Sequence, residues 1–331
     1  MHYVLERFFK DVRDGKVCDD TDVEKRAETY FYDAVKEYGF EVLLEKADTG
    51  RLLHRVRKEG MRLCKDLYDV QKRSKFRPYL LEAKIGEEGI EPMALESDKR
   101  IALKGTIDRV DVLGDKFIVI DYKTYKSADL SLKELYTGQK IQLYVYMRAV
   151  EKSIKAKPCG VYYFPIFSSF TDEAGQRYKY KGQSCDSLET LCEIDYMVKD
   201  DPESAIPPFK AGKNDTLDPN VHLSAKQFDL LGDYAVAIAT KGASEIARGF
   251  IRPTPLQGKC DRCDFESICA YKGMNERKLP KVDGVENFSL DCGEKGESAS
   301  SPDATDCQCE IAKADCGALC AQNAGNEGGG R

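Results

Sequence analysis

The sequence predicts an α/β protein: a mixed central sheet flanked by helices, preceded by N-terminal helices and followed by a cysteine-bearing segment. Three observations point there. Apolar residues recur at helical spacing through residues 1–75, short β-branched segments follow, and beyond them the order is strand, strand, helix, strand. With 331 residues, the chain can bury a sizeable core without disulfide staples.

Taken in order, His2 to Phe9, Thr21 to Lys46 and Leu52 to Val70 carry apolar and aromatic residues at helical spacing. Tyr79 to Ile85, Ile101 to Val112 and Lys116 to Lys123 read as strands, the last two joined by a Gly114-Asp115 hairpin turn. Leu132 to Ala149 returns to helix, and Gly160 to Pro165 is a buried strand closed by proline. Residues 167–223 show no period and are expected to form an irregular insertion, with one helix near Cys185 to Val198. Ser224 is the expected N-cap of a helix running to Arg248, with Gly249 as its terminator. A cysteine segment spans 253–272. The folded domain is therefore expected over 1–281, and 282–331 is too poor in apolar residues to order itself.

Composition excludes several classes. Apolar runs are only a few residues long, so no membrane-spanning helix is expected. The first residues lack the apolar core of a secretion signal, so a cytoplasmic protein is expected, with its 13 cysteines mostly thiols. The net charge of −6 is uneven: from Val282 onward there are ten acidic against three basic residues, leaving 48 basic against 47 acidic before it. A near-neutral body can still hold a basic groove. Arg51, Arg55, Arg57 and Lys58 cluster on one helix and are expected to meet DNA phosphates. No phosphate-cradling G-x-x-x-x-G-K-[ST] loop is present.

The densest chemistry lies in Gly105-Thr-Ile-Asp108-Arg-Val-Asp111 and Ile118-Val-Ile-Asp121-Tyr122-Lys123. Residues two apart on a strand share a face, so Asp121 and Lys123 project together, and Asp108 on the neighbouring hairpin strand comes alongside. Two converging carboxylates suit a hard divalent cation, Mg²⁺ or Mn²⁺. A lysine beside them can orient water and stabilise charge building on a phosphoryl group. A bare D-x-K is more often a solvated hairpin. Here Glu82 lies on a strand upstream, and Gln142 and Tyr146 share one helix face downstream.

Together these phrases resemble the PD-(D/E)XK nucleases of the RecB type, and their order resembles the nuclease domain of AddB-type components of bacterial helicase–nucleases. The resemblance covers residues 2–272 and extends through Gly160-Val-Tyr-Tyr-Phe, Gln227-Phe-Asp-Leu-Leu and Gly249-Phe-Ile-Arg-Pro. It implies a restriction-endonuclease-like core in which Asp108, Asp121 and the Tyr122 main-chain carbonyl bind the metal. Lys123 is then the catalytic lysine, Glu82 supports the metal shell, and Gln142 and Tyr146 hold DNA or the acidic loop. It also makes His2 a metal ligand, although the glycine phrase that precedes this histidine in the family would fall before residue 1, which points to truncation.

Cys260-x2-Cys263-x5-Cys269 suits an iron–sulfur cluster better than zinc, which usually takes two paired motifs. The resemblance implies a 4Fe–4S cluster whose fourth cysteine lies upstream of the histidine motif. Cys18 and Cys64 are the nearest substitutes in this chain, and neither sits in a matching phrase. Cys292, Cys307, Cys309, Cys316 and Cys320 read as free thiols, and His54 and His222 as ordinary residues rather than ligands. The function implied is a metal-dependent exonuclease acting on single-stranded DNA from a duplex end. It would work with a partner helicase–nuclease component of the complex, in break processing and recombinational repair. The alternatives are a Cas4-like exonuclease and a non-catalytic DNA-binding scaffold.

Overall fold

The computed structural model describes residues 1–87, 89–95, 101–124, 130, 132–166, 179–199, 204–207, 221–255, 260, 263–269 and 271. The expected disordered tail lies outside these residues.

Three helices open the chain: α1 (His2–Arg13), α2 (Asp20–Glu37) and α3 (Ala47–Arg73), with a 3-10 turn at Phe40–Leu44 between the last two. Asp19 caps α2, its carboxylate accepting from the Asp22 amide. Strand β1 (Arg77–Lys84) follows, then a two-residue ribbon of β2 (Met93–Ala94) and β3 (Ala102–Leu103). The hairpin β4 (Thr106–Leu113) and β5 (Lys116–Lys123) turns at Gly114, whose φ is +58°. Next come α4 (Leu132–Tyr136), α5 (Gln142–Ile154), β6 (Lys157–Pro165), β7 (Lys181–Cys185), α6 (Leu188–Ile194), β8 (His222–Leu223) and α7 (Ala225–Ala247).

The main sheet runs β1-β4-β5-β6-β7-β8. Pairing is antiparallel except for β5–β6 and β7–β8, so the sheet is mixed, as expected. Each face carries its own core. On one, Leu5, Phe8, Phe9, Leu63 and Leu67 of the N-terminal helices pack on Ile118, Ile120, Tyr122 and Phe164. On the other, Leu143, Met147, Val150, Phe228 and Leu231 of α5 and α7 pack on Phe117, Val119, Val161 and Tyr163. Full burial of one such side chain contributes roughly 1.5–3 kcal/mol.

Arg109 is buried in the first face. Its guanidinium lies 3.8 Å from the centroid of the Phe9 ring, and its Nε donates to Asp111 at 2.7 Å. Asp111, part of the acidic phrase, therefore holds the core together rather than facing the site.

Four elements depart from the expected pattern. The helix expected over Thr21 to Lys46 ends at Glu37, ahead of Gly39 at φ +67°, and the strand expected over Ile101 to Val112 divides into β3 and β4, which lie in different sheets. The helix expected over Leu132 to Ala149 is broken in two, because Gly138 adopts φ +74° and its amide closes on the Leu135 carbonyl. The segment 167–223, expected to be irregular apart from one helix, contributes β7 and β8 to the sheet. Lys181-Gly-Gln-Ser-Cys has no β-branched residue, so pairing rather than propensity makes it a strand. Gly182 permits this approach, since a Cβ there would lie 2.0 Å from the Val161 carbonyl oxygen. The α7 start follows the sequence reading, with a capping box between Ser224 and Gln227, and Gly249 follows the helix at φ +71°.

Candidate functional site

Sheet register assembles the carboxylates. Arg109 pairs with Ile120, which sets Asp108 across from Asp121. Leu81 pairs with Arg109 and Ala83 with Ile107, which sets Glu82 across from Asp108 on the other side. Three acidic residues thus form a row over β1, β4 and β5. Asp108 and Asp121 are only 7% and 2% exposed. Glu82 adopts φ +48°, a left-handed conformation that costs a non-glycine residue energy and that neighbouring structure must hold.

The start of α1 completes one side. His2 Nδ1 lies 3.2 Å from Glu82 Oε1 and 3.3 Å from Asp108 Oδ1, and its ring meets Tyr122 edge-on at 5.8 Å. The ligand atoms of His2, Glu82 and Asp108 all fall within 4.8 Å of one another, the one such group among the described residues. Asp108 Oδ2 accepts the Tyr122 amide at 2.6 Å.

The other side is built on β5 and α5. Because α5 begins at Gln142, its side chain sits over the end of β5. Gln142 Oε1 accepts from Lys123 Nζ at 3.0 Å, and Nε2 donates to Asp121 Oδ1 and to the Tyr146 hydroxyl, both at 3.1 Å. Asp121 Oδ2 forms an ion pair with the Lys123 ammonium. That ammonium also lies 5.0 Å from the centroid of the Tyr163 ring. Gly105 leaves room for Tyr146, since a Cβ there would stand 2.9 Å from the ring.

The electrostatics ask for a cation. Burial, then the charge of Asp108, push the Asp121 carboxyl up to about 6 in spite of Lys123. Hydrogen bonds to Asp108 and then Glu82 push the His2 imidazole up to about 10, so at neutral pH it is a cation among carboxylates. The imidazole of His2 and the carboxylates of Glu82 and Asp108, with the buried Asp121 carboxylate alongside, fit a divalent cation such as Mg²⁺ or Mn²⁺.

The sequence pattern of the PD-(D/E)XK nuclease superfamily matches residues 1–270. The chain belongs to that superfamily. Similar proteins include the B-type component of the ATP-dependent helicase/deoxyribonuclease of Caldanaerobacter subterraneus subsp. tengcongensis, 30% identical over 63% of this chain and 20% of that protein. Those of Clostridium acetobutylicum and Alkaliphilus oremlandii are 25% and 26% identical over 83% and 86% of this chain, and 26% and 28% of their own lengths. The chain thus spans about a fifth to a quarter of these relatives.

As a superfamily member, the protein brings His2, Glu82, Asp108, Asp121, Lys123, Gln142 and Tyr146 to one end of its sheet. Tyr122 sits between Asp121 and Lys123, with its ring on the opposite face of the sheet. The cysteines do not join them. Cys263 and Cys269 are exposed, Cys260 is half-buried, and the three form no converging ligand group among the described residues.

The basic cluster on α3 is partly neutralised. Arg51 pairs with Asp48, while Arg57 pairs with Glu28 and lies beside His54 Nδ1. His222 is buried in β8 opposite Ser184. Two features of the site do not follow from the sequence reading: the left-handed backbone at Glu82 and the Tyr163 ring under Lys123. An aromatic two residues before the strand-ending Pro165 is the available signal for the second. Among the described residues, no helix is long and apolar enough to cross a membrane.

Proposed function

We propose that residues 1–281 form a metal-dependent deoxyribonuclease domain that hydrolyses phosphodiesters of single-stranded DNA as an exonuclease. Its proposed setting is a cytoplasmic helicase–nuclease complex that processes double-strand breaks for recombinational repair. The observation that carries this reading is the convergence of His2, Glu82 and Asp108 beside the Asp121–Lys123–Gln142 unit. The names of the similar proteins support the setting: each is the B-type component of a helicase/deoxyribonuclease, which implies an A-type component as partner.

In this reading Asp108, Asp121, His2 and the Tyr122 carbonyl hold the cation, with Glu82 supporting them. A bound divalent cation would supply Lewis acidity at the phosphate and lower the pKa of a coordinated water. Lys123, fixed by Asp121 and Gln142, presents positive charge to the reacting phosphoryl group without spending energy on rearrangement. Gln142 holds both members of that pair and Tyr146 in one geometry. The cysteine segment is proposed to bind a 4Fe–4S cluster only with a fourth thiolate and closure of the three around it, and no step passes through it.

Incubation of the protein with labelled single-stranded DNA and Mg²⁺ or Mn²⁺ should release acid-soluble nucleotides, and chelation should stop the release. DNA binding without any metal-dependent release would instead favour the scaffold reading.

A further inference from the structure

At the start of α1, His2 is followed by Tyr3, and contacts lead from there to an open aromatic surface. The Arg7 guanidinium lies 4.6 Å from the centroid of the Tyr3 ring, which meets Tyr38 edge-on at 5.9 Å. Tyr38 in turn stacks on Phe40, with centroids 6.0 Å apart and planes 25° from parallel. Gly39, at φ +67°, turns the chain between them, so that rings two residues apart come face to face. Tyr38 ends α2 and Phe40 opens the 3-10 turn, and the two are 59% and 48% exposed.

Within the core, Phe8 with Phe9 and Tyr122 with Phe164 close edge-on and are sealed from water. A stacked pair left in solvent adds little to the fold, and a ring face held open is the surface on which a nucleotide base stacks. Its position selects that occupant. Consecutive Cα atoms are about 3.8 Å apart, so Tyr3 begins beside a residue whose imidazole touches Glu82 and Asp108. Through Tyr3 the pair is continuous with the acidic site. Exposed Glu41 and Glu45 flank it and would repel phosphates, so what it offers is a ring face rather than a charge. Val42 and Leu44 of the same turn are exposed as well, which makes a second copy of this chain the competing occupant.

We propose that Tyr38 and Phe40 form a stacking platform for a base of single-stranded DNA next to the metal site. This rests on the nuclease reading above and assigns a base subsite to residues outside its motifs. Every base has a π-face, so the platform orders the strand without reading its sequence.

The experiment measures binding of a single-stranded oligonucleotide in EDTA at several salt concentrations, with one abasic position walked inward from its end. Steady-state cleavage in Mg²⁺ and sedimentation of the free protein accompany it. It compares the wild type with Tyr38→Leu, Tyr38→Phe, Phe40→Leu and Tyr196→Leu. Tyr196 is also exposed and follows α6, whose Glu193 pairs with Lys116 at the opposite end of β5, so it serves as control. Tyr38→Leu and Phe40→Leu should each weaken binding about fivefold or more, the lower end for loss of one base–aromatic stack. The log–log salt slope should stay unchanged, because no phosphate contact is lost. KM should rise with kcat nearly unchanged, while Tyr38→Phe, which keeps the ring, and Tyr196→Leu should match the wild type. One abasic position should weaken wild-type binding by a similar factor and leave Tyr38→Leu unaffected, since the two losses remove the same contact.

Wild-type-like binding by Tyr38→Leu, or no abasic position that matters to the wild type, overturns the assignment. A wild type that self-associates while Tyr38→Leu stays monomeric also overturns it, because a second copy then covers the face. Normal cleavage with unaltered binding in the leucine variants sinks this inference alone. Ring-dependent binding in a protein that never cleaves with Mg²⁺ or Mn²⁺ sinks the nuclease reading and leaves the platform standing.

Discussion

On the β5–α5 side of the site, Gln142 ties Asp121, Lys123 and Tyr146 into one hydrogen-bonded unit. On the α1–β1 side, His2, Glu82 and Asp108 meet one another through a single imidazole. The first side is preorganised by protein alone: its amide satisfies a cation, an anion and a hydroxyl at once, which low local dielectric strengthens. The second is a set of acceptors around a proton that a metal can replace. The contrast teaches a division of labour. In the proposed reaction, the β5–α5 side fixes the charge that acts on the phosphate, and the α1–β1 side provides an exchangeable seat for the cation.

The largest effect should come from Asp121, which belongs to the β5–α5 unit and lies across from Asp108 of the other side. Asp121→Asn keeps the shape but removes a ligand charge. Cleavage should therefore nearly vanish, and metal affinity should fall by more than the roughly 10–100-fold that loss of a supporting residue costs. Stability should move the other way. The folded Asp121 carboxyl titrates near 6, above its ordinary value of 3.8, so ionising it is unfavourable in the folded state. Its contribution is most favourable below pH 3.8 and is lost as pH rises through about 6. Metal-free Asp121→Asn should then melt no lower than wild type at about pH 7, with the gap closing as pH drops toward about 4. A mutant that melts well below wild type at neutral pH would mean that Asp121 is structural.

Lys123→Ala tests the preorganised side alone. Metal binding should stay close to normal, while turnover should fall by roughly a hundredfold or more, the size expected for a fixed electrostatic group. The loss should appear in kcat rather than in KM. Single-turnover cleavage equal to wild type would remove Lys123 from the reaction.

How much of this is legible in the sequence follows the same division. Strand periodicity sets Asp121 and Lys123 on one face, and the Gly114-Asp115 turn fixes Asp108 beside them, because a short hairpin leaves little freedom of register. Gln142 and Tyr146 follow from helical spacing. Glu82 can be placed on a strand, but its left-handed φ depends on tertiary constraint, which no local pattern encodes. Strands β7 and β8 read as irregular, since Gly182 and its polar neighbours carry no strand propensity and pair only because β6 offers an edge. The cysteines differ: C-x2-C-x5-C is a clear spacing, and among the described residues its segment belongs to no strand, so sheet register does not position the thiols.

The smallest effect is also the one that separates seat from scaffold on the α1–β1 side. His2 titrates near 10, well above its ordinary 6.5, because Asp108 and Glu82 hold its proton. The stability it lends is complete below pH 6.5 and fades as pH rises through about 10. If His2 is a metal ligand, it must surrender that proton, since only neutral imidazole ligates. Mg²⁺ or Mn²⁺ binding at about pH 7.5 should then release about one proton, and log affinity should climb by about one per pH unit between 6 and 10. Below pH 6 the slope should steepen toward about two as Asp121 also gives up a proton. Calorimetry in buffers of different ionisation enthalpy counts these protons. In His2→Gln the count at the same pH should drop to about zero, with some metal affinity remaining through the carboxylates. A wild-type protein that binds metal without releasing a proton keeps its imidazolium in place. The cation would then sit on Asp108 and Asp121 with Glu82, and His2 would act as a counter-charge rather than a ligand.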